Sequence, residues 1–219
     1  MAIKNLFTAG GIVMFPLLGF SILSLALILE RGLFWLRVAN RQDRMVREVL
    51  ALYRRNPLVV FKKLEQNADL PIARIFLAAL ELDQATPEDF RLALESSAQA
   101  EIPLLKRFTT VFETIISISP LLGLLGTVLG LITSFASLQL GDIGGSSATN
   151  VTSGISEALV STAAGLIVAI FTLLFANTFR GLYIRQIALI QEYGGQLELL
   201  YRRYYERSEV PYVGKPSGE

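Results

Sequence analysis

The sequence predicts an all-α, polytopic membrane protein with three transmembrane helices that extend into a cytoplasmic helical bundle. Three long stretches without a charged residue carry this prediction, at 5–29, 114–141 and 158–179. Each exceeds the ~20 residues that a helix needs to cross a hydrocarbon core of ~30 Å. The composition agrees with a membrane protein, because 52% of the 219 residues are hydrophobic and only 18% are charged.

The first uncharged stretch predicts a spanning helix close to the N-terminus. Only Lys4 precedes it, it is longer than the apolar region of a signal peptide, and no small-residue cleavage pattern follows it. We therefore expect an uncleaved membrane helix with a kink at Pro16.

Basic residues predict the orientation of the three helices. Thirteen Lys and Arg residues lie from Arg31 to Arg107, six lie from Arg180 onward, and the loop 139–153 has none. Because basic segments stay in the cytoplasm, we expect the loop and the N-terminus on the outer side.

The region from Glu30 to Glu113 has the sequence pattern of amphipathic helices. Thr86 followed by Pro87 predicts a helix start with Thr86 as the N-cap, and we expect that helix to continue into the second membrane helix. The predicted order is a short periplasmic N-terminus (1–8), transmembrane helix 1 (9–30), a cytoplasmic helical region (31–110), transmembrane helix 2 (111–138), a periplasmic loop (139–153), transmembrane helix 3 (154–179), and a cytoplasmic helix extension with a disordered tail (180–219).

The second and third stretches each carry one face of small and hydroxyl side chains, because these residues recur at spacings of three and four. Such faces let helix backbones approach closely in lipid. Thr127 and Thr162 predict a weakly polar lining that faces a cavity or a partner helix, and ordinary packing within one subunit is the alternative. The residues predicted to pack at a pore or interface are Gly123, Gly126, Gly130, Ala158, Gly165 and Ala169.

Glu157 is the charged residue nearest to the membrane interior on the predicted outer side. An ionisable residue at such a position is a candidate functional residue. The alternative is structural: with Gly154 as N-cap, Glu157 occupies the third helical position, where a carboxylate is stabilised by the helix dipole.

The composition excludes several classes of enzyme. The chain has no cysteine and no histidine, which removes Ser-His-Asp and Cys-His nucleophilic sites and His/Cys zinc sites. No phosphate-binding or dinucleotide-binding glycine motif is present. A net charge of +1 gives no bias toward nucleic acid. We therefore expect no enzymatic activity, no metal and no cofactor.

Two motifs make the sequence recognisable. Ser-Pro-Leu-Leu-Gly-Leu-Leu-Gly-Thr-Val at 119–128 and Gly-Ile-Ser-Glu-Ala-Leu-Val-Ser-Thr-Ala-Ala-Gly-Leu at 154–166 strongly resemble the MotA/TolQ/ExbB proton channel family. The stretch from Met14 to Arg31 is similar to the ExbB and TolQ branch, as is the presence of three hydrophobic segments rather than four. Family members usually carry a proline where this chain has Phe171, so the resemblance does not extend to a kink at that position.

The resemblance implies a proton-channel or motor subunit of the bacterial inner membrane. It implies a homopentameric ring around an ExbD/TolR-type single-span partner, with a TonB/TolA-type periplasm-spanning protein as a further partner. The proton motive force would then energise transport or envelope processes. By the same resemblance, Glu157 lies in the ion path, and Thr127 and Thr162 line it opposite a membrane aspartate of the partner.

Two other functions remain open. A structural membrane scaffold could use the small-residue faces for assembly alone, and it predicts that replacing Glu157 by Gln changes only stability. A solute transporter is disfavoured because the sequence shows no internal repeat and no pair of broken midplane helices.

Overall fold

The computed structural model describes residues 10–53, 57–82, 85–139 and 146–209, and these ranges are helical with no strand. The chain order is α1 (Met14–Tyr53), α2 (Pro57–Glu65), α3 (Pro71–Leu80), α4 (Pro87–Leu105), α5 (Thr109–Gln139) and α6 (Ser146–Glu209). The predicted N-terminal segment 1–8 and the tail from Val210 lie outside the described residues.

Three helical stretches are long and apolar enough to cross a membrane. They are Met14–Tyr53, Pro87–Ala136, which comprises α4 and most of α5, and Val151–Glu206. The sequence-based prediction of an all-α chain with three helices of spanning length is therefore confirmed, and the chain is a multi-pass membrane protein.

The chain divides into two compact units. The apolar unit consists of Met1–Gly32 and Phe108–Arg180, and the charged unit consists of Leu33–Arg107 and Gly181–Glu219. The apolar unit thus contains α5, the part of α1 up to Gly32, and the part of α6 up to Arg180.

The apolar unit turns large hydrophobic side chains outward. Phe15, Leu121 and Ile167 are 66%, 62% and 67% exposed, whereas small and polar residues are buried between the helices. Some large side chains, such as Leu17 and Ile115, are buried as well. Large hydrophobic side chains that face outward are expected where the surroundings are lipid or another apolar helix.

The charged unit is held by a hydrophobic core and by polar pairs. Its fully buried side chains include Phe76 and Phe90, and the ring of Phe90 stacks on Tyr201 at a centroid distance of 4.0 Å. Arg74 pairs with the buried carboxylate of Glu101, with its Nε 2.7 Å from Oε1. Because the guanidinium makes a second bond to the other carboxylate oxygen, the charge of Glu101 is paired on both oxygens.

Two helix boundaries differ from the prediction. The helix that begins after Thr86 does not continue into α5, because Phe108 adopts the left-handed conformation with φ of 67° and interrupts the hydrogen-bond ladder. Pro16 lies in the first turn of α1, where a missing N–H breaks no helical bond, so a kink at Pro16 is not required. Phe171, by contrast, lies within the uninterrupted helix α6.

Candidate functional site

The predicted site lies on α5 and α6, which pack against each other through glycines. A Cβ atom at Gly123 would lie 3.0 Å from the Cα of Thr162, and a Cβ atom at Gly130 would lie 2.7 Å from the carbonyl oxygen of Gly154. A side chain at Gly130 would clash with that oxygen, and one at Gly123 would require the backbone at Thr162 to shift, so the two backbones approach closely at these points.

The remaining predicted packing residues lie along the same contact. A Cβ atom at Gly165 would lie 3.2 Å from the Cα of Gly123, and one at Gly126 would lie 2.5 Å from the Cβ of Ser161. The two predicted alanines are buried: Ala158 is 3% exposed and Ala169 is 6% exposed. The glycine contacts all lie within one chain, so the small-residue faces join α5 to α6 of the same subunit.

The two threonines use their hydroxyl protons on backbone carbonyls. Thr162 donates from α6 to the carbonyl oxygen of Gly123 on α5, at 3.0 Å. Thr127 donates to the carbonyl oxygen of Leu124 in its own helix, at 2.6 Å. A hydroxyl has one proton and two lone pairs. Both half-buried threonines therefore keep acceptor capacity but have already used their donor.

Glu157 brings a carboxyl group into this apolar unit. Between 114 and 179 the only other charged residue is Asp142, which lies outside the described residues. The Glu157 side chain is half-buried and lies against Gly11, where a Cβ atom would be 2.7 Å from the carboxyl carbon.

Gly154 is not the helix cap that the sequence predicted. Helix α6 begins at Ser146, because residues 146–153 include no glycine or proline that would stop it. Gly154 instead lies at the contact with α5, where a Cβ atom would be 2.8 Å from the carbonyl oxygen of Gly130. Glu157 is consequently an interior helical residue, and the first-turn explanation of its presence is wrong.

Sequence reasoning also missed a buried polar link between α1 and α6. The hydroxyls of Ser24 and Thr172 are 2.7 Å apart, and both residues are at most 2% exposed. Thr172 belongs to the small-residue face of the third stretch, but Ser24 lies in an apolar run where only Ser21 precedes it at helical spacing, which is too little to predict a polar face. Only the tertiary structure reveals the pair.

The described residues offer no evident place for a metal ion or a charged cofactor. No three carboxylate, histidine or cysteine side chains in these ranges come together as metal ligands. A cavity of about 310 Å³ between α1 and α6 has a wall that is apolar except for Ser21, formed by residues such as Leu17, Val160 and Ile167. Among the described residues between 114 and 179, Glu157 is the only ionisable side chain.

Residues 67–192 match the MotA/TolQ/ExbB proton channel family. This range includes all of α5, and it contains Thr127, Glu157 and Thr162 together with the glycine contacts between α5 and α6.

Individual relatives agree with that match. The chain is 64% identical over 201 residues to the putative biopolymer transport protein ExbB-like 3 of Synechocystis sp., and this alignment covers 92% of this chain and 96% of that protein. It is 44% identical over 207 residues to ExbB-like 1 of Synechocystis sp., covering 94% of this chain and 81% of that protein. The chain is 35% identical over 108 residues to the Tol-Pal system protein TolQ of Haemophilus influenzae, and this alignment covers 48% of this chain and 44% of that protein.

Proposed function

This chain belongs to the MotA/TolQ/ExbB proton channel family, in its ExbB and TolQ branch, and we propose on that basis that it is a proton-conducting motor subunit of a bacterial inner membrane. Relatives of this branch act in processes driven by the proton motive force. Proton movement is worth ~2.3 kcal/mol per charge for each 100 mV of potential. The proposed role is to convert that free energy into transport across the envelope or maintenance of the envelope.

The observation that carries the proposal is the position of Glu157. Its carboxyl group is half-buried in a unit whose outward surface is hydrophobic. Placing an ionisable group in such surroundings is costly, and it is retained where it serves an ion path or a proton relay. Since Glu157 no longer has a first-turn position to explain it, a role in proton movement accounts for it better than helix capping does.

Thr127 and Thr162 support a role as hydrogen-bond acceptors for an acid on a partner protein. Their protons are engaged with backbone carbonyls, so they offer lone pairs to any group that faces them. A protonated carboxylic acid can donate to such an oxygen, whereas a carboxylate cannot. We propose that these threonines favour the protonated state of an aspartate on a single-span, ExbD/TolR-type partner.

The proposed assembly follows the family. Five copies of this chain form a ring around the partner, which passes rearrangements to a TonB/TolA-type protein that spans the periplasm. The N-terminus and the loop between α5 and α6 face the periplasm in this proposal, because basic residues are concentrated elsewhere.

Proton flux into vesicles that contain the chain and its co-produced partner tests the proposal. We expect Glu157→Gln to lower the flux by at least about tenfold, since a proton-transferring group is lost. The double change Thr127→Val with Thr162→Val should lower it by about threefold to tenfold, since each removes one polar group in an apolar medium.

A matched control is available on the same two helices. Thr133 and Thr178 are exposed and donate to carbonyls of their own helices, so changing both to Val removes two hydroxyls away from the proposed path. This control should keep the wild-type flux. If flux also survives in the Glu157 and Thr127/Thr162 variants, the ion path is wrong. The scaffold function then replaces it.

A further inference from the structure

The turn that precedes α1 lies directly on α6. Gly11 has φ of 71°, and a Cβ atom there would meet the carboxyl group of Glu157, with the Cγ at 3.2 Å. A Cβ atom at Gly10 would lie 3.3 Å from a methyl carbon of Val160. Two consecutive glycines therefore face α6 within one turn of Glu157.

Val13 extends the same contact. It is 4% exposed, and a Cβ atom at Gly126 of α5 would lie 3.7 Å from the Cβ of Val13. The segment before α1 thus touches both helices of the candidate site, and its position is fixed by packing on each side of Gly11.

The conformation at Gly11 explains why a glycine is needed there. Left-handed φ values are accessible to glycine without a steric penalty, and any other residue would carry a Cβ atom into the space that the Glu157 carboxyl occupies. The carboxyl also lies close to the start of α1.

We propose that Gly11 is a positioning residue for Glu157. Because Gly11 has no side chain, the Glu157 carboxyl group can lie against the backbone before α1, and this contact fixes the position of the carboxyl group. The importance of this position for proton flux rests on the proposed function above. The positioning of the Glu157 carboxyl by Gly11 does not rest on that function, because it is a contact between two described residues of the chain.

The first test is the reactivity of Glu157 in membranes containing the full chain and its partner. Dicyclohexylcarbodiimide modifies carboxyl groups in apolar surroundings, and mass spectrometry locates the product. We expect Gly11→Ala to change the rate at Glu157, because the displaced carboxyl loses its contact. Gly19→Ala is the matched control, since Gly19 lies on α1 with open space around it, and it should react as the wild type does. Equal reactivity in all three proteins overturns the proposal.

A double-mutant cycle separates the contact from backbone strain. An alanine at positive φ is strained whatever it touches, so Gly11→Ala should lower the melting temperature even in a Glu157→Ala background. In the wild-type background the loss should be larger by about 2–4 °C, since the clash with the carboxyl is added. Equal losses in both backgrounds overturn the proposal. If Gly11→Ala does not accumulate in membranes, accumulation should return in the Gly11→Ala/Glu157→Ala protein, and failure to return counts against the contact.

The two proposals can fail separately. If Gly11→Ala changes the reactivity of Glu157 while Glu157→Gln leaves proton flux unchanged, the positioning contact stands and the ion path through Glu157 does not. If Glu157→Gln stops the flux while Gly11→Ala changes neither reactivity nor flux, the ion path stands and positioning by Gly11 is refuted.

Discussion

At the start of α4, the carboxylate of Asp89 is stabilised by hydrogen bonds from one residue, Thr86. The hydroxyl of Thr86 donates to the carboxylate of Asp89 at 2.6 Å, and the Thr86 N–H donates to the same oxygen at 3.2 Å. The Asp89 N–H in turn donates to the Thr86 hydroxyl oxygen. The two bonds that Thr86 donates hold the pKa of Asp89 below its usual value, and the bond from the hydroxyl has the larger effect.

The lowered pKa predicts a pH-dependent contribution to stability. Because the folded protein binds this proton less tightly than the unfolded chain, the contribution is present above the ordinary aspartate pKa of about 3.9 and is lost as pH falls through the lowered value. Asp89→Asn should therefore lower the melting temperature at pH 7, and the difference from wild type should vanish in acid.

Thermal unfolding followed by circular dichroism between neutral and acidic pH measures this difference. Thr86→Val is the companion variant: it removes the hydroxyl donor, so the pKa of Asp89 rises toward its ordinary value. The loss of stability in acid should then be smaller, and complete at a higher pH, than in the wild type. A melting temperature that depends on pH identically in the three proteins would contradict the assignment.

Sequence reasoning succeeded at single residues where the signal was local. Thr86 was predicted as the cap of α4, and the structure confirms it with both halves of the capping box. Gly154 also resembled a cap, but its role depends on Gly130, which is distant in sequence. Gly11 carried no signal, because neither its positive φ nor its contact with Glu157 can be read from neighbouring residues.

At the scale of helices, the contact between α5 and α6 predicts opposite effects for two glycines of α6. A Cβ atom at Gly165 would meet the backbone carbonyl of Ser119 and would lie 3.2 Å from the backbone nitrogen of Gly123, so backbone would have to move. Gly165→Ala should therefore destabilise the protein by about 1–3 kcal/mol, as overpacking does.

Gly194→Ala is the matched control, because nothing lies within 4 Å of a Cβ atom at Gly194. It should stabilise the helix by about 0.5–1 kcal/mol, since alanine has the higher helix propensity. Denaturation in detergent compares both variants with the wild type. A stabilising Gly165→Ala would show that the helices do not touch as described.

The helices were predictable to different degrees. The length of the uncharged stretches was enough to predict three spanning helices, because the bilayer imposes that length. The interruption between α4 and α5 was not predictable, since Phe108 is not a residue type that usually adopts left-handed φ. The small-residue spacing identified a packing face on each helix, but spacing cannot tell whether the partner of that face is in the same chain or in a neighbour. The structure brings the two faces together within one chain.

At the scale of the whole molecule, the apolar unit packs small residues between its helices and leaves many of its large ones exposed. Leu124, Val128, Leu166 and Ile170 are each 45–65% exposed on α5 and α6. Contacts between subunits in the proposed ring therefore have to be made by these bulky side chains and by hydroxyls such as that of Thr127, and no longer by the glycine faces.

Native mass spectrometry of the protein extracted mildly from its own membranes tests this assembly. We expect a complex of five copies of the 24.1 kDa chain with a small single-span protein attached, because the proposed ring needs an acid at its centre that this chain does not supply. Glu157→Gln is the matched control, and it should give the same mass, since the acid is proposed to move protons and not to hold subunits together. A five-fold ring that forms without any partner would leave the threonines with no acid to face, and the proposed mechanism would lose its proton acceptor. A monomer or dimer in both proteins would contradict the ring itself and would favour a scaffold that acts through its own three helices.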